Sequence, residues 1–247
     1  MAQRAAIVTG ASSGIGFAIA RMLLEEGYGV TLAARRPEKL AAAAEQLAGG
    51  DRELHSVPGN MASEEAVSQV VAEHRERFGR LDVLVNNAGV GVGAAVADID
   101  TKRLDMQLAV NLRSIVLFYR ECAGMLRVAG GEHRSALVIN MSSISGKAGE
   151  PWLSVYSATK AGVVGFTEAM NKELGRDGIK SCALCPAFVD TAMADFIKEA
   201  VPAENMIRAD DIAEAARMLL HLSPACVIPE IMFQPPGAVP DGLPVSG

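Results

Sequence analysis

The chain lacks the features of a membrane-bound, secreted or nucleic-acid-binding protein. No apolar run is long enough to cross a bilayer. The N-terminal stretch MAQRAAIVTGASSG shows neither the charged and apolar segments nor the cleavage site of a signal peptide. Lys and Arg number 23 against 29 Asp and Glu, so the formal charge is −6 and no basic excess is available for a nucleic acid. We therefore expect a cytoplasmic protein with no membrane or nucleic-acid partner.

Cysteine is also scarce, with four residues in 247. Only Cys182 and Cys185 have suggestive spacing, which fits either a redox pair or two ordinary residues of a buried strand. On a strand, positions three apart point to opposite faces, and no second pair completes a metal site. The four histidines match no ligand spacing. We expect no metal.

Short apolar runs alternate along the chain with longer helical stretches. The apolar runs predict seven strands, at residues 5–9, 30–34, 54–57, 81–86, 136–141, 179–185 and 228–233. Strand runs that are almost wholly apolar are typical of a sheet covered by helices on both faces. We therefore predict one α/β domain over residues 1–247, a Rossmann-type, doubly wound, seven-stranded parallel sheet.

A glycine-rich turn, Gly10-Ala11-Ser12-Ser13-Gly14-Ile15-Gly16, joins the first strand to a helix. Glycines at such a turn let the backbone approach a diphosphate, and the helix N-terminus supplies amide donors. The alternative is a tight turn that needs small residues only.

The second strand ends in Ala33-Ala34, where a carboxylate that could bind the ribose 2′-hydroxyl of NAD is missing. Arg35 and Arg36 follow at once. A guanidinium suits a 2′-phosphate, so the pair favours NADP(H) over NAD(H), unless both arginines are merely solvated.

Further motifs follow in order: Asn86-Asn87-Ala88-Gly89, then Asn111 inside a helical pattern, then Ser142-Ser143, then Tyr156-Ser157-Ala158-Thr159-Lys160. Tyr156 and Lys160 are four apart on a helix and share a face. Together with the glycine turn, these motifs resemble the short-chain dehydrogenase/reductase family from about Arg4 to Pro235. The resemblance implies that Asn111, Ser143, Tyr156 and Lys160 form a catalytic set.

The same resemblance implies the cofactor contacts, which include several of the residues above. They are Gly10, Ser12, Ser13, Gly14, Ile15, Gly16, Arg35, Arg36, Asn60, Met61, Asn87, Ala88, Gly89, Tyr156, Lys160, Pro186, Val189 and Thr191. Two positions depart from the family pattern. Ala187 follows Pro186 where glycine is usual, and Asn60 stands where the family often has an aspartate.

The implied activity is hydride transfer between NADP(H) and a carbonyl compound or secondary alcohol. A tyrosine pKa near 10 needs about 4 kcal/mol to reach roughly 7, which one charge at about 4 Å can supply. We therefore expect Lys160, helped by the oxidised nicotinamide, to lower the pKa of Tyr156, Ser143 to bind the substrate oxygen, and Asn111 to interrupt its helix and hold a water. An NAD-linked alcohol dehydrogenase and a non-catalytic dinucleotide-binding regulator remain the alternatives.

Fewer sequence features indicate where the substrate binds. Residues 187–207 contain apolar side chains that fit either a substrate lid or a packed surface helix. Trp152 could line the pocket, join the core or contact a second subunit. Small residues on the helices that begin near Thr101 and Val155 permit close approach, and the resemblance implies a homodimer or homotetramer. We expect residues 236–247 to form an irregular tail.

Overall fold

Seven parallel strands form one sheet in the order β3-β2-β1-β4-β5-β6-β7. The structure is a computed structural model that describes residues 3–199 and 201–236, so most of the predicted tail at 236–247 lies outside the described residues. The strands are β1 (Ala5–Thr9), β2 (Gly29–Ala34), β3 (Leu54–Pro58), β4 (Val83–Asn86), β5 (Ala136–Met141), β6 (Ile179–Pro186) and β7 (Glu230–Phe233). The predicted seven-stranded, doubly wound parallel sheet is confirmed.

Seven α-helices connect these strands. They are α1 (Gly14–Glu25), α2 (Pro37–Leu47), α3 (Glu64–Phe78), α4 (Thr101–Leu108), α5 (Ser114–His133), α6 (Ser154–Leu174) and α7 (Ala209–His221). No helix in the described ranges is long and apolar enough to cross a membrane.

Both faces of the sheet are buried, which is why its strands are apolar throughout. Alternate residues of β1 point to opposite sides: Ala6 and Val8 enter one core cluster and Ile7 the other. The first cluster is completed by α1, α2 and α7, and the second by α3, α5 and α6. The two layers of helices hold the strand ends at fixed positions.

Cys182 and Cys185 lie on opposite faces of β6, as their spacing predicted for a strand. Cys182 belongs to the first core cluster, whereas Cys185 packs with Val164 and Ala183. Both thiols are free and buried. These placements support the interpretation as ordinary buried residues and not as a redox pair.

The helical pattern before β5 predicts one long helix that is capped by Thr101 and ends before Gly130-Gly131, and the structure differs from this prediction at both ends. Asp100, and not Thr101, is its N-cap, because the Asp100 carboxylate accepts the Arg103 N–H at 2.8 Å. The helix also continues through Gly130-Gly131 to His133. Gly130 is needed because a Cβ there would overlap the Asp177 carbonyl oxygen and lie 3.1 Å from the Gly178 carbonyl carbon. This glycine marks a close approach within a helix and not its end.

Candidate active site

The carboxyl ends of β1 and β4 meet where the strand order reverses, the usual ligand position in such sheets. Thr9 and Asn87 join them. The Thr9 hydroxyl accepts the N–H groups of Asn87 and Ala88, both at 3.0 Å, and the Asn87 amide donates to the Thr9 carbonyl at 3.0 Å and the Gly10 carbonyl at 3.3 Å. These bonds fix the glycine turn against the turn after β4.

The glycines of the turn are required for different steric reasons. A Cβ on Gly10 would lie 2.8 Å from Asn87 Nδ2, and one on Gly16 would overlap the same atom. Gly14 has φ +57°, and its Cβ would lie 2.9 Å from Thr191 Cγ2. The turn therefore packs against Asn87 on one side and faces Thr191 on the other.

The N-terminus of α1 remains open for an anion. Ser13 is the N-cap, yet its exposed side chain makes no capping bond. Among the described residues, no hydrogen bond satisfies the amides of Gly14, Ile15 and Gly16. Three free donors at the positive end of a helix suit a diphosphate, so this turn fits a dinucleotide.

Arg35 and Arg36 are exposed where β2 ends. Within residues 3–199 and 201–236, neither guanidinium has a hydrogen bond or an ion pair, so both can bind a phosphate. Asn60, after β3, is exposed too, and its Oδ1 accepts the Ala62 N–H at 3.2 Å. Its amide nitrogen is left to donate, unlike an aspartate at this position.

The remaining predicted cofactor contacts surround this opening to different degrees. Met61 and Val189 are buried, so their side chains support the site from beneath. A Cβ on Gly89 would lie 3.5 Å from both Lys160 Nζ and Asn111 Oδ1, which places this glycine beside the predicted catalytic residues. Pro186 ends β6, and Thr191 faces Gly14 across the gap.

Ser143 and Tyr156 are neighbours, as the sequence predicted. Ser143 follows β5, donates to the Pro186 carbonyl at 3.4 Å and accepts the Ser145 N–H at 3.2 Å, and its hydroxyl is near enough to Tyr156 to lower the pKa of that phenol. Tyr156 lies in the first turns of α6 and is half-buried. Two hydroxyl groups thus meet at the edge of the sheet, where they could bind one substrate oxygen.

Lys160 lies one turn further along α6 and is 3% exposed. Its ammonium donates to the Met141 carbonyl at 2.7 Å and lies 5.5 Å from the centre of the Tyr156 ring. Ser142 fixes the position of α6 relative to the end of β5, because its hydroxyl donates to the Lys160 carbonyl at 2.8 Å. Gly146 packs on the same carbonyl group, where a Cβ would lie 2.8 Å from the oxygen.

Asn111 interrupts its helix as expected, because residues 109–113 form one π-helical turn between α4 and α5. The side chain is buried and brackets Val90, accepting its N–H at 2.8 Å and donating to its carbonyl at 2.9 Å. It also donates to Thr159 at 3.2 Å, and Thr159 donates to the Tyr156 carbonyl at 2.7 Å. Asn111 therefore connects the turn after β4 to the helix of Tyr156.

The protonation states differ from those expected for an activated tyrosine. Burial raises the pKa of Tyr156 above its ordinary value, although the hydrogen bond with Ser143 lowers it. Burial also lowers the pKa of Lys160 to about 8. Without a bound cofactor, Lys160 does not bring the pKa of Tyr156 down towards 7, because desolvation of both groups dominates. The tyrosine is held as a neutral proton donor.

Several residues around these groups carry no motif of their own in the sequence. Thr9, Gln107, Ser142 and Thr159 all hold the segments described above. Ser142 and Thr159 could have been found, since they lie inside quoted motifs, and Thr9 directly precedes the glycine turn. In the described part of the chain, no group of three or more His, Cys, Asp or Glu side chains could hold a metal.

Comparison with known proteins identifies the family. Residues 4–202 match the profile of the short chain dehydrogenase family. The chain belongs to this family. A protein described as ketoacyl reductase 1 of the granaticin polyketide synthase of Streptomyces violaceoruber is 41% identical over 202 residues, which cover 80% of this short-chain dehydrogenase and 72% of that protein. An uncharacterised oxidoreductase of Staphylococcus aureus is 34% identical over 95% of this chain and 98% of its own.

Solved structures agree with the family assignment. An alcohol dehydrogenase of the archaeon Thermococcus sibiricus, complexed with 5-hydroxy-NADP, has a TM-score of 0.86 at 27% identity and covers 97% of this short-chain dehydrogenase and 99% of its own chain. A variant of the actinorhodin polyketide ketoreductase with NADPH has a TM-score of 0.85 at 32% identity, over 94% and 97% of the two chains. The predicted family and its fold are thereby confirmed.

Proposed function

We propose that this short-chain dehydrogenase reduces a ketone with NADPH, and that Tyr156 donates the proton to the carbonyl oxygen. The observation that carries the proposal is the placement of the Tyr156 phenol beside Ser143, with the Lys160 ammonium 5.5 Å from the centre of its ring. A raised tyrosine pKa favours the proton donor that reduction needs.

NADP(H) is the cofactor that the residues of this chain favour. Solved relatives are bound with NADPH and with NADP. In this chain, Arg35 and Arg36 would bind the 2′-phosphate, and the free amides at Gly14, Ile15 and Gly16 would bind the diphosphate. When bound, NADPH supplies the hydride.

The chain's own residues would bind and protonate the substrate oxygen. Ser143 and Tyr156 would hold it by hydrogen bonds, and Tyr156 would transfer its proton as charge develops there. Lys160, while charged, would stabilise the tyrosinate that this transfer leaves. Asn111 would keep Val90 and the helix of Tyr156 in register and, in the π-helical turn, hold the water expected from the sequence.

A β-keto acyl compound is the first substrate class to examine, since several relatives are described as ketoacyl reductases. Residues 187–207 would cover the substrate. Its described residues form short 3-10 turns that are closed at the base by the bridge between Val189 and Ile207, and within the segment Lys198 pairs with Asp190 at 3.0 Å and with Asp195 at 2.8 Å. These contacts favour a lid over a packed surface helix.

Self-association would use α5 and α6. Val116 and Val128 are exposed on α5, and Ala158, Ala161 and Gly165 are exposed on α6. Ser114 and Gly162, by contrast, are used within the chain, by Val110 and Leu112. We propose a homodimer or homotetramer of a cytoplasmic enzyme, since the free thiols suit a reducing compartment. Sedimentation at a single subunit's mass would contradict the assembly.

The test of the function is a substrate panel with both cofactors. NADPH consumption should be followed by absorbance with β-keto acyl thioesters, simple ketones, aldehydes and quinones, and the reverse reaction with secondary alcohols. We expect turnover of at least one ketone with NADPH and much weaker turnover with NADH. Exclusive oxidation of alcohols with NAD⁺ would contradict the proposal.

A further inference from the structure

The segment Val90–Ala94, between β4 and α4, is irregular yet held at alternate residues. Asn111 brackets Val90, as described above. The Val92 N–H donates to Gln107 Oε1 at 3.2 Å, and the Ala94 N–H donates to the Trp152 carbonyl at 2.8 Å. Three side-chain or backbone acceptors therefore fix the path of five residues.

The two residues between these anchor points are glycines that lie against aromatic rings. A Cβ on Gly91 would be 3.7 Å from Tyr156 Cε2, and a Cβ on Gly93 would overlap the six-membered ring of Trp152. The Cα atoms of residues two apart are at most about 7 Å from each other. The indole of Trp152 thus lies beside the proposed proton donor, along the same strip of backbone.

Gln107 helps to hold the Val90–Ala94 segment by accepting the Val92 N–H, but its own amide nitrogen is left without a partner among the described residues. Its side chain is 0% exposed, and within the described residues its Nε2 has no hydrogen-bond partner. An unpaired buried donor is destabilising, and an apolar side chain would avoid it. Gln107 is also one helical turn before Asn111, so both amides face the segment they hold. The contact with Val92 is the only function of this side chain that the described contacts show.

Trp152 is held in an unfavourable conformation. Its φ is +67°, in the left-handed region that bulky side chains avoid, and its side chain is 61% exposed. It is therefore not a core residue. The Gly93 contact places the six-membered ring of the indole against the Val90–Ala94 segment, and the Ala94 N–H holds the Trp152 backbone, while much of the side chain is open to solvent.

We propose that Trp152 is a specificity-determining residue, whose indole stacks on a planar aromatic group carried by the ketone, and that Gln107 is the positioning residue that fixes the strip beneath it. The substrate class is then a ketone that carries an aromatic ring on a short aliphatic linker, so that the ring can reach Trp152 while the carbonyl lies at Tyr156. The inference rests on the proposed function, because it takes Tyr156 as the reacting end of the pocket.

Trp152 is the one tryptophan of the chain, so its fluorescence reports binding without turnover. The enzyme saturated with NADP⁺ should be titrated with benzylacetone and with its ring-saturated analogue, which has the same carbon skeleton without the planar aromatic ring. We expect saturable quenching by benzylacetone at about three- to tenfold lower concentration than any response to the analogue, the range that an aromatic pair contributes. Equal responses, or none with either ketone, would overturn the inference.

The Trp152 and Gln107 variants should be compared with the wild type by steady-state kinetics with NADPH and the same two ketones. Trp152→Leu should raise the KM for benzylacetone about three- to tenfold, change the KM for the analogue less than twofold and leave kcat unchanged, whereas Trp152→Phe should keep most of the preference. Gln107→Leu should lose the same preference without loss of thermal stability. A purely structural Gln107 would instead lower stability and leave the preference intact, which would contradict its positioning role.

The two hypotheses fail differently. If benzylacetone quenches Trp152 but no ketone is turned over, the proposed function falls and the aromatic subsite stands. If both ketones are reduced equally well by the wild type and by Trp152→Leu, the function stands and the subsite falls.

Discussion

The Lys160 ammonium lies 5.5 Å from the centre of the Tyr156 ring and donates to the Met141 carbonyl at 2.7 Å. The carbonyl orients the charge, while burial lowers the pKa of Lys160 to about 8. Lys160 is therefore charged below that pH and neutral above it. The charge is available to stabilise a tyrosinate only in the lower range.

Reduction should accordingly slow at alkaline pH. Below pH 8 the charged Lys160 stabilises the tyrosinate that forms as Tyr156 gives up its proton, and above pH 8 this stabilisation is lost. The rate with saturating NADPH and ketone should fall as the pH rises through about 8. Lys180 is the matched control, since burial lowers its pKa too, far from Tyr156 near Leu222 and Ser223. A Lys180→Gln variant should keep the same profile, and a wild-type rate that stays flat well above pH 8 would contradict the assignment.

Cofactor preference should depend on Arg35. A hydrogen bond to a charged group contributes about 1.5–3 kcal/mol, so Arg35→Ala should weaken NADPH binding roughly ten- to 150-fold and leave NADH binding nearly unchanged. Ala34→Asp should move the preference towards NADH, because a carboxylate accepts from the ribose hydroxyl and repels the phosphate. Both affinities can be measured by titration calorimetry.

Lys39, exposed one turn into α2, gives the control for Arg35. Lys39→Ala should change either affinity only slightly, since it removes charge without removing the proposed contact. Equal weakening of NADPH and NADH by Arg35→Ala would mean that Arg35 supports the fold or contacts adenine.

Stability should depend on Asp82, which lies at the opposite end of the sheet from the site. Burial alone would raise its pKa, but hydrogen bonds from Arg80, the Ala5 N–H and His133 hold the pKa below its ordinary value. Asp82→Asn leaves these donors poorly matched and should lower the free energy of unfolding by about 3 kcal/mol.

The Asp82 contribution has a defined pH range. Because the folded-state pKa is depressed, the stabilisation is full above the unfolded pKa of about 4 and is lost as the pH falls through the lower folded value. Asp210→Asn removes an exposed ion pair with Arg21 and should cost less than about 1 kcal/mol. Denaturant unfolding that ranks the two variants equally would contradict this account.

Most of the fold could be predicted from the sequence, because a sheet buried on both faces leaves continuous apolar runs. All seven strands lie where those runs predicted them. Helix ends were less predictable. Glycine has a low helix propensity, so Gly130 was expected to lie outside the helix. It lies inside α5 because the turn at Asp177 and Gly178 leaves no room for a side chain, and this contact cannot be seen in the sequence.

The candidate active site could also be predicted only in part. Tyr156 and Lys160 follow from spacing on one helix, and Ser143 from its place at a strand end. Gln107 could not be found, because its role exists only through the Val92 N–H across an irregular segment. The burial that raises the pKa of Tyr156 and lowers that of Lys160 could not be predicted from the sequence either, because it depends on the packing around both groups.

Turnover by Tyr156→Phe tests the central claim most directly. The variant lacks only the hydroxyl, so it should fold and bind NADPH as the wild type does. Reduction should fall by at least about a hundredfold, since a positioned acid contributes roughly 10²–10⁴-fold. NADPH binding and ketone reduction should be measured on the same preparation. Normal NADPH affinity with lost turnover is the predicted result, and reduction at near wild-type rates would contradict Tyr156 as the proton donor.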